Sequence, residues 1–520
     1  YVFLLCGGLV NASNLVSKTN TLIGTQGNGW ASGYLYPGAT YPFGMVQFTP
    51  TYFTKQLGFV INQLSGAGCD HMGNFPTLPV AGALRVSPDS ILNMQTPVGK
   101  EIGTAGYYAA TVDHSIRAEL TVTERTGMAR YTFSSKEKQG TVIIGGGVAA
   151  TPIQVAAIKI TGPHSCEGYA EGGAFCGIPT PYKVYFVAEF DADAESFGTW
   201  KEERLHANHT FAEGSHSGVY FTFPLKEGNQ AVQYKIGVSY VSVENARENL
   251  RVENPAWDFS AVRQATQDKW NEYLGKIEVE GDNEDRQMQF YTHLYRSLIH
   301  PNVCSDVNGE YMGADSQVHK TARKFYTSFS NWDTYRTQTA LIAMLAPEET
   351  SDIVMSHYLF AEQSGGGFPR WVLANIETGV MQGDPTPILV ANAYAFGARN
   401  YDPRTLLRTM RYGAEVPGAN SQGVLTRPGL EQYLEKGYYD ASILLEYTSS
   451  DFAIGRFALQ ACNDEPVCNW YTQRAMNWKN LFNKETGWLQ SRNEDGSWKR
   501  YDADWRESTY KNYFWMVPYD

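Results

Sequence analysis

Glu278-Val-Glu-Gly-Asp282 is a short polar stretch across which the sequence changes its pattern. Upstream, from about Ser13 to Val243, β-prone runs alternate with turns marked by Gly and Pro. Examples are Gly-Tyr-Tyr-Ala-Ala-Thr-Val at 106–112, Arg-Ala-Glu-Leu-Thr-Val-Thr at 117–123, Tyr-Lys-Val-Tyr-Phe-Val-Ala at 182–188 and Gly-Val-Tyr-Phe-Thr-Phe at 218–223. Strands at this density predict a β-sandwich. The stretches 244–250 and 259–274 read as helical, and from Asp285 onward the helical period takes over. Met288, Tyr291, Leu294, Tyr295 and Leu298 would share one helix face. More helices are predicted over 333–345, 351–363, 388–397, 404–411, 440–462 and 469–482. Joined by loops rich in glycine and aromatics, they fit a toroid of helical hairpins better than a compact bundle. Periodicity by itself stops at a β-sandwich followed by a helical domain. The expected division is 1–13 as a residual signal peptide or N-terminal extension, 14–243 as sandwich, 244–283 as helical linker and 284–520 as helical domain.

At 520 residues the chain is too long for one ordinary core, and 43% hydrophobic against 18% charged residues argues for packed domains rather than disorder. Aromatics reach 13%, which suits sugar binding and equally suits a large core. A net charge of −12 with no basic run excludes nucleic acid as the expected partner. The first residues, Tyr1 to Ser13, read as the tail of a signal peptide or as a buried strand. No apolar run approaches the ~20 residues of a membrane helix, so no membrane span is expected. Cys166–Cys176 and Cys462–Cys468 are plausible local disulfides, Asn208-His-Thr210 is a glycosylation sequon, and both fit a secreted, extracellular protein.

Chemistry concentrates in the loops. Gly27-Asn-Gly-Trp30 precedes Tyr36-Pro-Gly-Ala-Thr-Tyr-Pro-Phe-Gly-Met-Val-Gln47, and Gln63 leads into Leu64-Ser-Gly-Ala-Gly-Cys69. Such loops fit a backbone pressed against a ligand, and fit a tightly turned sandwich edge as well. Ser330-Asn-Trp-Asp-Thr-Tyr-Arg336 brings Trp332, Asp333 and Arg336 within one turn of a helix start. A Trp ring can stack on a sugar while Asp and Arg bond its hydroxyls. The same spacing also describes an Asp favoured by the helix dipole and paired with an Arg three residues on. Glu377 and Asp384 are candidate ligands for hydroxyls or an ion, or solvated loop acids. Glu507 lies among aromatics in Asp504-Trp-Arg-Glu-Ser-Thr-Tyr-Lys-Asn-Tyr-Phe-Trp515, where a raised pKa would suit a general acid.

These segments together resemble the calcium-dependent exo-α-mannosidases of glycoside hydrolase family 92. The resemblance runs in order through Pro37–Gln47, Leu64–Gly68, Glu124–Phe133, Tyr291–Tyr295 and Asp306–Gly309, then Trp332–Arg336. It continues through Leu445-Glu-Tyr447 with Asp451, Asn480–Gly487 and Asp495–Trp498. It implies a β-supersandwich packed on an (α/α)6 barrel, and inverting hydrolysis of terminal α-linked mannose on glycans. It further implies Glu507 as catalytic acid, and Trp30, Gln63, Trp332, Asp333, Arg336, Glu377 and Asp384 as mannose-facing residues. Three departures bear on linkage specificity: Asn62-Gln63, Asp384-Pro385 and Glu507-Ser-Thr-Tyr-Lys511 replace the family's usual residues.

The resemblance also implies Ca2+, with most ligands beyond residue 520, and a general base in an Asp-rich motif not met before Asp520. The barrel is therefore expected to be incomplete in these residues, and a second chain or continuation is expected to complete it. Two other readings stay open: a non-catalytic glycan-binding or structural protein on this scaffold, and an inverting (α/α)6 phosphorylase.

Overall fold

A computed structural model describes residues 14–25, 34–50, 58–89, 98–228 and 230–500. The chain forms two compact units, Tyr1–Asn308 and Gly309–Asp520.

The first unit holds an eight-stranded and a nine-stranded sheet. The eight-stranded sheet centres on Thr77–Ala81, Gln139–Ile144 and Ser217–Pro224. The nine-stranded one centres on Ser165–Phe175, Ile178–Phe190, Ala231–Ser239 and Thr126–Thr132. Burial alternates along strands such as Ser165–Phe175, as a two-residue repeat requires. The core lies between the sheets: Phe59 meets Tyr108 and Tyr131, Phe48 meets Tyr234, and Phe190 meets Phe221 and Phe223. Helices α1 (Val243–Glu253), α2 (Phe259–Leu274) and α3 (Glu284–Ser297) follow. Each starts at a residue whose side chain accepts a backbone N–H: Ser242, Asp258 and Asn283. Helix α1 lies close on the sheet at Gly237, where a Cβ would stand 2.3 Å from the Ala246 carbonyl oxygen.

The second unit is helical: α4 (Asn331–Thr334), α5 (Gln338–Leu345), α6 (Pro347–Ser364), α7 (Thr386–Ala395) and α8 (Pro403–Glu415), then α9 (Leu430–Lys436), α10 (Ala441–Cys462) and α11 (Glu465–Ala475). Its core joins α6, α7, α8, α10 and α11 through Val354, Leu389, Leu406, Ile454 and Tyr471. Among the described residues, no helix is long and apolar enough to cross a membrane.

The cysteine pairing differs from expectation. Cys69 is bonded to Cys176, while Cys166, Cys462 and Cys468 are free thiols. Cys166 sits near the start of the strand Ser165–Phe175 and Cys176 just past its end. Ten residues of extended chain hold the two roughly 30 Å apart, far beyond disulfide reach. Cys462 ends α10, whereas Cys468 is inside α11 with its Sγ 3.9 Å from Thr472 Oγ1.

Candidate active site

A three-stranded sheet in the second unit sets two of the singled-out segments side by side. Phe329–Ser330 pairs with Trp371–Leu373, which pairs with Ile376–Glu377. Directly after Ser330, α4 begins, and the buried Asn331 ties it down by donating to the Pro369 carbonyl at 3.1 Å and to Thr386 Oγ1 at 2.9 Å. The expected helix 333–345 is broken between α4 and α5. Thr337, at φ −146°, interrupts it, and Arg336 falls in the break.

Trp332, Tyr335 and Arg336 converge on Glu446 of α10. Trp332 Nε1 donates to Oε1 at 3.1 Å, the Tyr335 hydroxyl to Oε2 at 3.4 Å, and Arg336 Nη2 to Oε1 at 3.5 Å. The Arg336 guanidinium also lies 4.8 Å from the centres of both the Trp332 and Tyr335 rings. Asp333 is exposed and takes a hydrogen bond from Ser330 Oγ, so Arg336 pairs with Glu446 and not with Asp333. Burial pushes the Glu446 carboxyl up to about 7, against the opposing pull of Arg336 and the bonds from Trp332 and Tyr335.

Glu377 and Asp384 are buried and internally engaged. Glu377 accepts backbone N–H bonds from Arg370 at 2.6 Å, Trp371 at 3.2 Å and Gly379 at 2.8 Å. Asp384 accepts Arg427 Nε at 2.8 Å. Burial raises both carboxyls against these partners. Arg427 continues to Asp451 at 2.7 Å, which Arg474 and the Tyr433 hydroxyl also hold. Two guanidiniums thus face two carboxylates in a buried, charge-balanced core. Arg370 fastens the same loop, donating to the carbonyls of Gly383, Met381 and Leu425. The cavity beside Glu377 and Asp384 is only about 10 Å³, too small for a sugar ring. A wider groove of about 610 Å³ between α7 and α10 is lined by Ile388, Leu445, Phe452 and Trp478, and its described lining carries no carboxylate.

Sequence models of the glycosyl hydrolase family 92 N-terminal and catalytic domains match residues 19–239 and 245–520. The chain belongs to glycosyl hydrolase family 92. Among solved structures, a family 92 inverting mannosidase of Bacteroides thetaiotaomicron is 25% identical over 97% of this chain and 71% of its own, with a TM-score of 0.86. A second family 92 α-mannosidase of that organism is 24% identical over 96% of this chain and 70% of its own, also at 0.86. A secreted glycosidase of Arthroderma benhamiae is 25% identical, and the match covers 94% of this chain and 66% of the relative. The chain thus spans a little under two thirds of that relative's length.

In this family 92 chain, the second unit brings Trp332, Arg336, Glu377 and Asp384 together around the start of α10 and the loop that packs on it. Gln63 belongs to the first unit, fully buried, with both carboxamide atoms unpartnered. Trp30 and Glu507 lie outside the described residues. Among the described residues, no three His, Cys, Asp or Glu side chains gather to hold a metal ion. Glu446 lies in a segment that carries the family resemblance, but nothing in the sequence placed it in the site. It stands in Leu445-Glu-Tyr447, where its apolar neighbours were the available signal that the acid is buried.

Proposed function

We propose that this chain belongs to an inverting exo-α-mannosidase that releases terminal α-linked mannose from glycans. The observation that carries the reading is the likeness over 97% of the chain to an inverting family 92 mannosidase. A related mannosidase solved with mannoimidazole supports a mannose-like ligand.

In this reading the Trp332 ring stacks on the mannose face, Arg336 donates to its hydroxyls and the exposed Asp333 accepts from one. Glu507 is the general acid that protonates the leaving glycosidic oxygen. A water, deprotonated by a general base, attacks the opposite face, so the anomeric configuration inverts. Calcium assistance is part of the same proposal, with its ligands outside the described residues. Secretion is supported by the secreted relative and by the Cys69–Cys176 disulfide. The exposed Asn208, in the turn before Phe211–Glu213, is the proposed glycan acceptor.

The test is mannose release from an α-mannoside by the full protein, with the anomer first formed read by NMR. Glu507→Gln is expected to lower kcat by about a hundred- to ten-thousand-fold. Retention of configuration, phosphate-dependent cleavage, or full activity in Glu507→Gln would each defeat the reading.

A further inference from the structure

Glu446 has an unusual set of partners. Its side chain is 4% exposed, yet among the described residues its three side-chain donors all come from one short segment, at positions 332, 335 and 336. Two of those donors, Trp332 and Arg336, are the ones assigned to face the sugar. Gly383 packs close on Glu446: a Cβ there would stand 2.5 Å from its Cβ, 2.9 Å from its Cγ and 3.3 Å from its Oε2. A side chain at position 383 would therefore collide with Glu446.

We propose that Glu446 is a positioning residue of the sugar site, whose ionised carboxylate holds the Trp332 indole and the Arg336 guanidinium in their binding arrangement. This rests on the mannosidase reading for the identity of the ligand, but not for the contacts themselves. An ionised carboxylate only accepts, so it takes all three donors as they stand, and its charge is the counter-charge of Arg336. A protonated carboxyl can turn its O–H to the Tyr335 hydroxyl, but it leaves Arg336 without a counter-charge and weakens the bonds at Oε1.

Among the described residues, the charged and titratable groups around it are few. Arg336 and Tyr335 face it from the α4 segment. The 376–384 loop presents Gly383, since Asp384 is turned to Arg427. On α10 itself, Ser450 bonds the Glu446 carbonyl and not the carboxyl. With burial lifting its titration to about 7, the latch closes above neutrality and releases below it.

Two readouts on the full chain test this. The first is the fluorescence of Trp332 against pH, taken as wild type minus Trp332→Phe. A transition near 7 is expected, and it should vanish when Glu446→Gln is introduced in both backgrounds. The second is α-mannoside kinetics, where Glu446→Gln should raise KM about tenfold at alkaline pH, with a smaller loss in kcat. The wild-type KM should rise as pH falls, and that of Glu446→Gln should not. A pH-flat Trp332 signal overturns the proposal, as does a Glu446→Gln enzyme with the wild-type KM profile. If Glu446→Gln fails to fold, the wild-type and Trp332→Phe titration still decides. A Trp332 transition in a protein that hydrolyses no mannoside upholds the latch and counts against the mannosidase reading alone.

Discussion

Glu446 and Asp451 lie on the same helix, both deeply buried, yet their carboxyls are driven in opposite directions. Burial acts on each to raise it. For Asp451 that effect is overcome by two guanidiniums, Arg427 and Arg474, which hold it below the ordinary range. Glu446 has one, Arg336, itself 32% exposed and 3.5 Å away, and burial wins. The consequences differ in sign. The folded state keeps the Glu446 proton between about 4.5 and 7, so stability falls as pH rises through that window, by roughly 3 kcal/mol in full. Glu446→Gln should flatten that slope in urea unfolding followed across the window. Asp451→Ala strands the buried Arg474 and leaves Arg427 with Asp384 as its carboxylate, and should lower the unfolding free energy by about 3–5 kcal/mol, read from the urea midpoint. From the sequence the two acids look alike. The number of guanidiniums each one meets is set by α11 and by the segment around Arg427, at distances along the chain that local reading does not span.

Loop 64–69 shows the same principle in one element. The Leu64 N–H donates to His71 Nε2 at 2.7 Å, and the Ser65 N–H to His300 Nε2 at 3.0 Å. Both imidazoles must be neutral at that nitrogen to accept. Burial lowers each to about 4, from 6.5. The unfolded chain therefore binds more protons between these values, and stability is lost as pH falls through the window. His300→Asn should show a shallower acid-side fall in Tm than wild type, read as a difference because Glu446 works in the opposite direction. Among the helices, the starts capped by Ser242, Asp258, Asn283 and Asp402 fall within a residue of those expected from periodicity, whereas the helix capped by Asp464 starts at Glu465, four residues before the expected 469. The break that frees Arg336 was not legible, because no Gly or Pro marks it. Nor was α9, only seven residues long and bounded by Gly429 and Gly437 at φ 72° and 71°.

Over the whole molecule, Cys69–Cys176 joins a loop of the eight-stranded sheet to the tip of a hairpin in the nine-stranded one, across 107 residues of sequence. Closing so long a loop should contribute about 2–4 kcal/mol, so thiol reduction or Cys176→Ser should lower Tm, with little effect from Cys462→Ser. The sequence by itself determined the order of architectures, sandwich before helices, because burial periodicity and capping act within a few residues. It also determined the family, because many short motifs stand in register along the chain. Only the tertiary structure decided which cysteines meet, that Glu377 and Asp384 are internally satisfied, and that Glu446 stands behind Trp332 and Arg336. Those outcomes depend on side chains from distant segments sharing one small, buried volume, where desolvation and pairing outweigh any local preference.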